Sequence, residues 1–323
     1  MKVYKIHEND IKRATERIVN RKIVYHPQIS PNGKLDFTSY YGKNYICIFD
    51  RNIYTNLIEL CKNGYLNNKE LQVDIASLMF WMQFNRINGT GGLALLEYCH
   101  SSGNNTKSNI ENSIFKSAFN NYEPDDWIKL INLGNVNPLI VNEDSQSNFE
   151  IEPDHYVFQY LMTLKMQNID QLMLKGYEKF LVYFKWMEEN VLISGLTLVY
   201  SALLFSNKIK PLIRTQTDKK SIKKACKNQA WDLCYLSSWS TFFWNDYNEE
   251  DIYLFCTFDK GLKSIMDHSF IGHNPELLFK NIFGAKNGTY IKKQYDSILM
   301  KHTKKTLDMD FIKQQIEIEE EQL

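Results

Sequence analysis

The sequence predicts an α/β fold in which a parallel-sheet core carries a large helical insertion and a helical C-terminal region. Two short apolar runs, Tyr45–Asp50 and Ile252–Asp259, each end in an aspartate, as is typical of strands buried on both faces. Each run is followed by apolar residues at helical spacing, which is the strand–helix order of a parallel sheet. The interval between the runs is too long for one crossover and therefore predicts the insertion.

The first hundred residues are predicted to form helices around one strand. Turn signals at Pro27 and Pro31 indicate an irregular or hairpin stretch before that strand. The glycine-rich segment Asn88–Gly92 interrupts a helical pattern and is interpreted as a turn. The helices are expected at about 8–20, 52–61, 68–84 and 93–99.

The remainder is predicted to be mostly helical. Residues 101–121 are polar and rich in Asn and Ser, and they are interpreted as a loop. The glutamate-rich end of the chain is expected to be a frayed, solvated helix. Further helices are expected within 123–207 and at about 230–239 and 260–266. The predicted segments are an N-terminal extension (1–44), the first part of the core (45–100), the helical insertion (101–210), the second part of the core (211–300) and a charged C-terminal helix (301–323).

Composition and charge exclude several classes of protein. Basic and acidic residues are equal in number, 38 each, which argues against binding of nucleic acid through overall charge. The apolar run at about 191–205 is shorter than the ~20 residues that span a bilayer, so it predicts a buried helix and no membrane partner. None of the six cysteines forms a CxxC pair, and no signal peptide is visible. We therefore expect a cytoplasmic protein with reduced core thiols.

Four acidic residues lie at positions that suggest a common site. Asp50 and Asp259 end the two predicted strands, and functional sites of open α/β sheets lie beyond the carboxyl ends of strands. Glu97 and Asp232 lie beside apolar residues on predicted helices, where a carboxylate is costly unless it is paired or bound to metal. Taken singly, each strand-end acid can equally be a helix N-cap or loop acid, and each helical acid an exposed one.

The order of these residues resembles the PIN-domain family of nucleases. That family has an Asp after its first strand, often with Asn two residues on, and a Glu on a later helix. It also has an Asp on the helix before the last core strand and Thr/Ser-x-Asp at the end of that strand. The resemblance covers roughly residues 45–100 and 220–270, and the long interval between is assigned to the insertion. The matching residues are Asp50 with Asn52, Glu97, Asp232, and Thr257 with Asp259.

The resemblance implies a PIN-like core and a metal-dependent endonuclease that hydrolyses phosphodiester bonds, most often in RNA. Mg²⁺ or Mn²⁺ would activate water and offset phosphate charge, and both ions prefer hard oxygen ligands. A role as a prokaryotic toxin or defence effector is a hypothesis by analogy. The implied catalytic and metal-binding residues are Asp50, Glu97, Asp232 and Asp259, with Asn52 and Thr257 orienting water or a carboxylate.

A basic stretch precedes Asp232. Residues 208–227 hold eight Lys and Arg residues against one acid, a local charge of 8 − 1 = +7. Four of the lysines follow helical spacing, so they either track the phosphates of a nucleic acid or form an ordinary solvated face. The predicted substrate-binding residues are Arg51, Lys220, Lys223, Lys224, Lys227 and Lys260.

Two other functions remain open at this stage. The first is a haloacid-dehalogenase-like phosphatase with Asp50 as nucleophile, although such enzymes usually need a second Asp where this chain has Asn52. The second is a catalytically silent PIN-like protein that only binds its partner. RNA is the expected partner of the leading hypothesis, with a homo-oligomer or a regulatory protein as further candidates.

Overall fold

Four strands form one mixed sheet in the part of the chain that the structure describes. The computed structural model describes residues 6–26, 42–141, 146–209, 218–244, 250–271, 274–300 and 306–323, so Pro27 and Pro31 lie outside it. The spatial order of the strands is β1-β4-β2-β3. They are β1 (Val24–Tyr25), β2 (Asn44–Phe49), β3 (Asn88–Thr90) and β4 (Asp251–Cys256).

The two predicted strands are confirmed, and the structure shows that they are neighbours in this sheet. β2 pairs with β4 in parallel, with Phe49 opposite Cys256, and it pairs with β3 in parallel on its other side. β1 pairs with β4 in the antiparallel direction. Because β2 and β4 run in parallel and in this register, the residues that follow them leave the sheet side by side.

Helices account for most of the remaining described residues. Pro124 occupies the first turn of the sixth helix, as the Glu-Pro-Asp sequence indicates. The helices are α1 (Glu8–Arg21), α2 (Arg51–Asn63), α3 (Lys69–Phe84), α4 (Gly92–Ser102), α5 (Asn105–Asn121), α6 (Pro124–Ile131), α7 (Asp154–Asp170), α8 (Gly176–Asn190), α9 (Gly195–Phe205), α10 (Lys219–Trp244), α11 (Lys260–Ile271), α12 (Pro275–Phe283), α13 (Ala285–Leu299) and α14 (Met309–Glu321).

The chain divides into two compact units. The first comprises Met1–Ile151 and Trp239–Asp259, and the second comprises Glu152–Ser238 and Lys260–Leu323. The first contains the sheet, and its buried core joins the strands to α1–α6. The described part of the second is helical throughout, with α7 packed against α14 and α8 against α9.

The prediction of a loop over residues 101–121 was wrong, because α5 occupies most of that segment. Asn104 caps the helix by accepting a hydrogen bond from the Lys107 amide at 2.8 Å. Asn109 is buried and exchanges hydrogen bonds of 2.8 and 2.9 Å with the backbone of Ser147. The many Asn and Ser residues therefore cap the helix and form a hydrogen-bonded buried face, while Phe115 and its apolar neighbours join the core.

The prediction of a turn at Asn88–Gly92 was also wrong, because β3 lies there. A Cβ atom at Gly89 would meet the Phe119 ring at 2.8 Å, and one at Gly91 would meet the Tyr54 ring at 2.0 Å. The glycines therefore allow aromatic side chains to approach the backbone closely. Close approach, and not only a turn, explains glycine in or beside a strand.

The glutamate-rich C-terminal helix is packed, which corrects the prediction of a frayed and solvated end. Glu319 is only 2% exposed, and its Oε1 lies 2.8 Å from the Lys165 ammonium nitrogen. The Asn168 amide donates a hydrogen bond of 2.8 Å to the other carboxylate oxygen. The charge of Glu319 is thus matched from α7, which permits its burial.

Two simpler predictions are confirmed. The apolar run near 191–205 forms the buried helix α9. All six cysteines are buried free thiols. Among the described residues, no helix combines the length and apolar character needed to cross a bilayer.

Candidate functional site

Asp50 lies at the carboxyl end of β2 and caps the N-terminus of α2. Its Oδ1 accepts a hydrogen bond from the Ile53 amide at 2.8 Å, and its own amide donates to the Cys256 carbonyl of β4 at 3.1 Å. The side chain is 2% exposed. Asp50 is therefore an N-cap, as the simpler interpretation of the sequence allowed, and it is also fixed to the adjacent strand.

Thr257 connects the ends of the two strands. Its hydroxyl donates a short hydrogen bond to Oδ2 of Asp50, and its oxygen accepts a hydrogen bond from the Asp259 amide at 2.9 Å. Its own amide donates to the Ile23 carbonyl at 3.0 Å, and its side chain is fully buried. The Thr-x-Asp pattern thus has a defined local role, because the threonine hydroxyl links the carboxylate of Asp50 to the backbone of Asp259.

The pKa of Asp50 is set by its burial, its hydrogen bonds and two nearby carboxylates. Burial raises the pKa of Asp50 to about 6, while the hydrogen bonds from Ile53 and Thr257 act in the opposite direction. The negative charges of Asp259 and Glu97 raise that pKa further. Two of the other predicted acids, Asp259 and Glu97, therefore lie near enough to Asp50 for their charges to act on it. An ionised Asp50 at neutral pH would be destabilised unless a cation were nearby.

The donor atoms at this edge suit a hard divalent cation. Each oxygen of Asp50 accepts one protein hydrogen bond and keeps a second lone pair for another partner. Carboxylate oxygens are the ligands that Mg²⁺ and Mn²⁺ prefer. As the side chains stand, no three His, Cys, Asp or Glu residues among those described are arranged to enclose a metal ion. The donors are therefore of the oxygen class that such an ion prefers, and a role of Asp50 as a metal ligand stays a prediction.

The fourth predicted acid, Asp232, belongs to the second unit, where it lies half-buried on α10. Burial raises the pKa of the Tyr200 hydroxyl well above its ordinary value, and the charge of Asp232 raises it further. Its role as a fourth ligand stays a prediction. Asn52 is exposed in the first turn of α2, and its carbonyl accepts a hydrogen bond from the Asn56 side chain at 2.6 Å.

Arg51, which was predicted to bind substrate, forms an ion pair with Glu111, a residue that the sequence pattern did not single out. Its guanidinium lies 2.7 Å from Oε2 of Glu111 on α5, and it stacks over the Tyr98 ring at 4.2 Å from the centroid. The two charged side chains are 18% and 8% exposed, so this is a largely buried ion pair. Glu111 was overlooked because its segment was interpreted as a loop. The apolar spacing of Ile114, Phe115 and Ala118 could have revealed the helix.

The predicted basic face is present on α10 in the second unit. Five lysines line one shallow surface along this helix, whereas Lys210 and Arg214 lie outside the described residues. Lys260, also predicted to bind substrate, is exposed at the start of α11. The five lysines are Lys219, Lys220, Lys223, Lys224 and Lys227.

Comparison with family models, with curated proteins and with solved structures found no match to this chain. Any functional conclusion therefore depends on the residues and geometry described above.

Proposed function

We propose that the protein is a metal-dependent endonuclease with a PIN-like core and that it hydrolyses phosphodiester bonds in RNA. The observation that carries this proposal is the convergence of Asp50, Thr257 and Asp259 at the ends of two adjacent parallel strands. This is the edge at which α/β sheets bear their functional sites. The charge of Glu97 acts on Asp50 at the same edge.

In this proposal Asp50, Glu97 and Asp259, which belong to one unit, hold Mg²⁺ or Mn²⁺. The ion would activate a water molecule and offset the charge that develops on the phosphate. Thr257 keeps the carboxylate of Asp50 in one orientation, because its hydroxyl donates to that carboxylate from a fully buried position. Asp50 therefore presents its remaining lone pairs in a fixed direction, as preorganised catalysis requires.

The exposed residues around this edge suit contact with substrate. Asn52 is exposed beside the buried Asp50, so its amide can orient water or a phosphate oxygen. Lys260 directly follows Asp259 and is also exposed, so its ammonium can contact a phosphate. The lysines of α10 form a cationic surface of the second unit, and such a surface suits a polyanion such as RNA. A toxin or defence role remains a hypothesis by analogy.

The phosphatase alternative is less well supported by the same residues. In such an enzyme Asp50 would be the nucleophile, and a second carboxyl two residues further on would act as the general acid. The position two residues on is Asn52, which cannot act as a general acid.

Cleavage of labelled RNA and single-stranded DNA tests the proposal. Reactions with Mg²⁺, with Mn²⁺ or with EDTA would compare the wild type with D50N, E97Q, D259N and D232N. Glu59 is exposed on α2, so E59Q is a charge-matched control outside the site. We expect cleavage that requires metal, falls by about a hundredfold or more in D50N and is unchanged in E59Q.

Three results would contradict the proposal. Absence of cleavage by the folded wild type under every condition would favour the silent binding protein. Cleavage retained in D50N would remove the acidic site from the reaction. A phosphoaspartate that forms in the wild type and not in D50N would favour the phosphatase.

A further inference from the structure

The C-terminal helix places a glutamate against the lysine face of α10. Glu320 forms an ion pair with Lys223 through Oε2, and its Oε1 accepts a hydrogen bond of 2.6 Å from the Tyr160 hydroxyl of α7. Lys227 lies over the Tyr160 ring, with its ammonium nitrogen 5.5 Å from the ring centroid. The carboxylate of Glu320 thus lies against the lysine face of α10, where the other charged groups are lysine ammonium groups.

The backbone of α14 extends this contact. The Lys219 ammonium donates a hydrogen bond of 3.4 Å to the carbonyl of Glu321. Lys220 and Lys224 are exposed and line the same surface. The end of α14 therefore supplies anionic and carbonyl oxygens to part of a lysine row, while the rest of the row faces solvent.

The Glu320 contact can open without detaching the helix. The side chains of Lys223 and Glu320 are 29% and 24% exposed, so water reaches the pair and weakens it. The buried anchors of α14 are different residues, namely Ile312 and Glu319, and Glu319 is held by Lys165. Glu320 can consequently release Lys223 by a side-chain movement while α14 stays in place.

We propose that the lysine face of α10 binds the phosphate backbone of a nucleic acid, and that Glu320 is an internal competitor that a phosphate displaces from Lys223. The charge and regular spacing of the lysines suit successive phosphates of one strand. The inference rests on the proposed function only in choosing nucleic acid as the polyanion. It concerns binding and can therefore hold whether or not the protein cleaves what it binds.

The test measures binding of a short fluorescent oligouridylate by anisotropy in EDTA, where metal-dependent cleavage cannot occur. E320Q is compared with E317Q, which removes the same charge from an exposed position of the same helix. We expect E320Q to bind about two- to fivefold more tightly than E317Q, the range that a weak exposed ion pair allows. The log–log salt slopes of E320Q and E317Q should agree, because Lys223 contacts the same phosphate in both variants once the nucleic acid is bound.

A second pair of variants tests the surface itself. K220A/K224A should weaken binding and reduce the salt slope by about 1.4. K286A/K313A removes two exposed lysines from α13 and α14 and should bind better than K220A/K224A. Thermal unfolding confirms that all four variants remain folded.

Three outcomes would overturn the inference. Equal affinities of E320Q and E317Q would remove Glu320 as a competitor. Equal losses in the two double-lysine variants would remove the α10 face as the binding surface. Binding of a polyglutamate peptide without binding of the oligonucleotide would assign the surface to an acidic protein. Tight binding in EDTA without cleavage in Mn²⁺ would overturn the proposed nuclease function and support this inference.

Discussion

Replacement of Asp50 by asparagine should stabilise the metal-free protein while it abolishes the proposed activity. The pKa of Asp50 rises from 3.8 to about 6 on folding, chiefly because the carboxyl is buried. Each pKa unit corresponds to about 1.4 kcal/mol, so the ionised carboxylate costs about 3 kcal/mol at neutral pH. Asparagine keeps the shape and capping ability of aspartate, but the hydrogen bond from Thr257 must reorganise, at about 1 kcal/mol. A net gain of about 2 kcal/mol remains.

The pH dependence gives the sign of this effect. Because the folded protein binds this proton more tightly than the unfolded chain, the free energy of unfolding falls as the pH rises from 3.8 to about 6. D50N has no such proton, so it should be about 2 kcal/mol more stable than the wild type above about pH 6 and about 1 kcal/mol less stable below pH 3.8. Denaturant unfolding of both proteins in EDTA across this range measures the difference.

A charge control makes the result interpretable. Asp125 is exposed in the first turn of α6, in the same unit, so D125N removes one negative charge without changing a buried group. Its stability should follow the wild type within about 0.5 kcal/mol at every pH. If D50N is no more stable than the wild type at neutral pH, or shows the same pH profile, the electrostatic account of Asp50 is refuted.

Three further substitutions test individual contacts by denaturant unfolding. T257V should lower the free energy of unfolding by about 2 kcal/mol and raise the pKa of Asp50 further, whereas T257S should retain both, because serine keeps the hydroxyl. R51A should cost about 3 kcal/mol, because it leaves a buried carboxylate without its partner. A nearly unchanged stability would contradict the buried ion pair of Arg51 with Glu111. E319A should cost about 3 kcal/mol for the same reason, and E317A, at an exposed position, less than about 0.5. Equal losses of unfolding free energy in E319A and E317A would contradict the packing of α14.

The strands of the sheet could be predicted where consecutive residues form a recognisable apolar run. The runs that became β2 and β4 are continuous, apolar and bounded, so they indicated buried strands. Their pairing could be anticipated only as a consequence of parallel-sheet topology. β3 was missed because its three residues contain glycine, and the reason for that glycine is an aromatic ring brought in from α5.

The part of the candidate site that lies at the ends of the strands could be predicted from the sequence. Asp50, Thr257 and Asp259 follow strands directly, so the register of the sheet brings them together. The ion pair between Arg51 and Glu111 was not predictable, since it depends on tertiary packing across a segment whose polar composition resembles a loop. The contacts of Glu320 with Tyr160 and Lys223 could not be predicted either, because these partners lie on helices far away in the sequence.

Mn²⁺ binding to the acidic edge, measured by isothermal titration calorimetry, tests the central claim most directly. The wild type and E59Q should bind with equal affinity, D50N should show no binding, and E97Q and D259N should bind more weakly. Bound Mn²⁺ should also stabilise the wild type, by about 2.7 kcal/mol at a free concentration of a hundred times Kd. Absence of binding by the wild type, or equal binding by D50N, would contradict the claim that Asp50, Glu97 and Asp259 form one divalent-cation site.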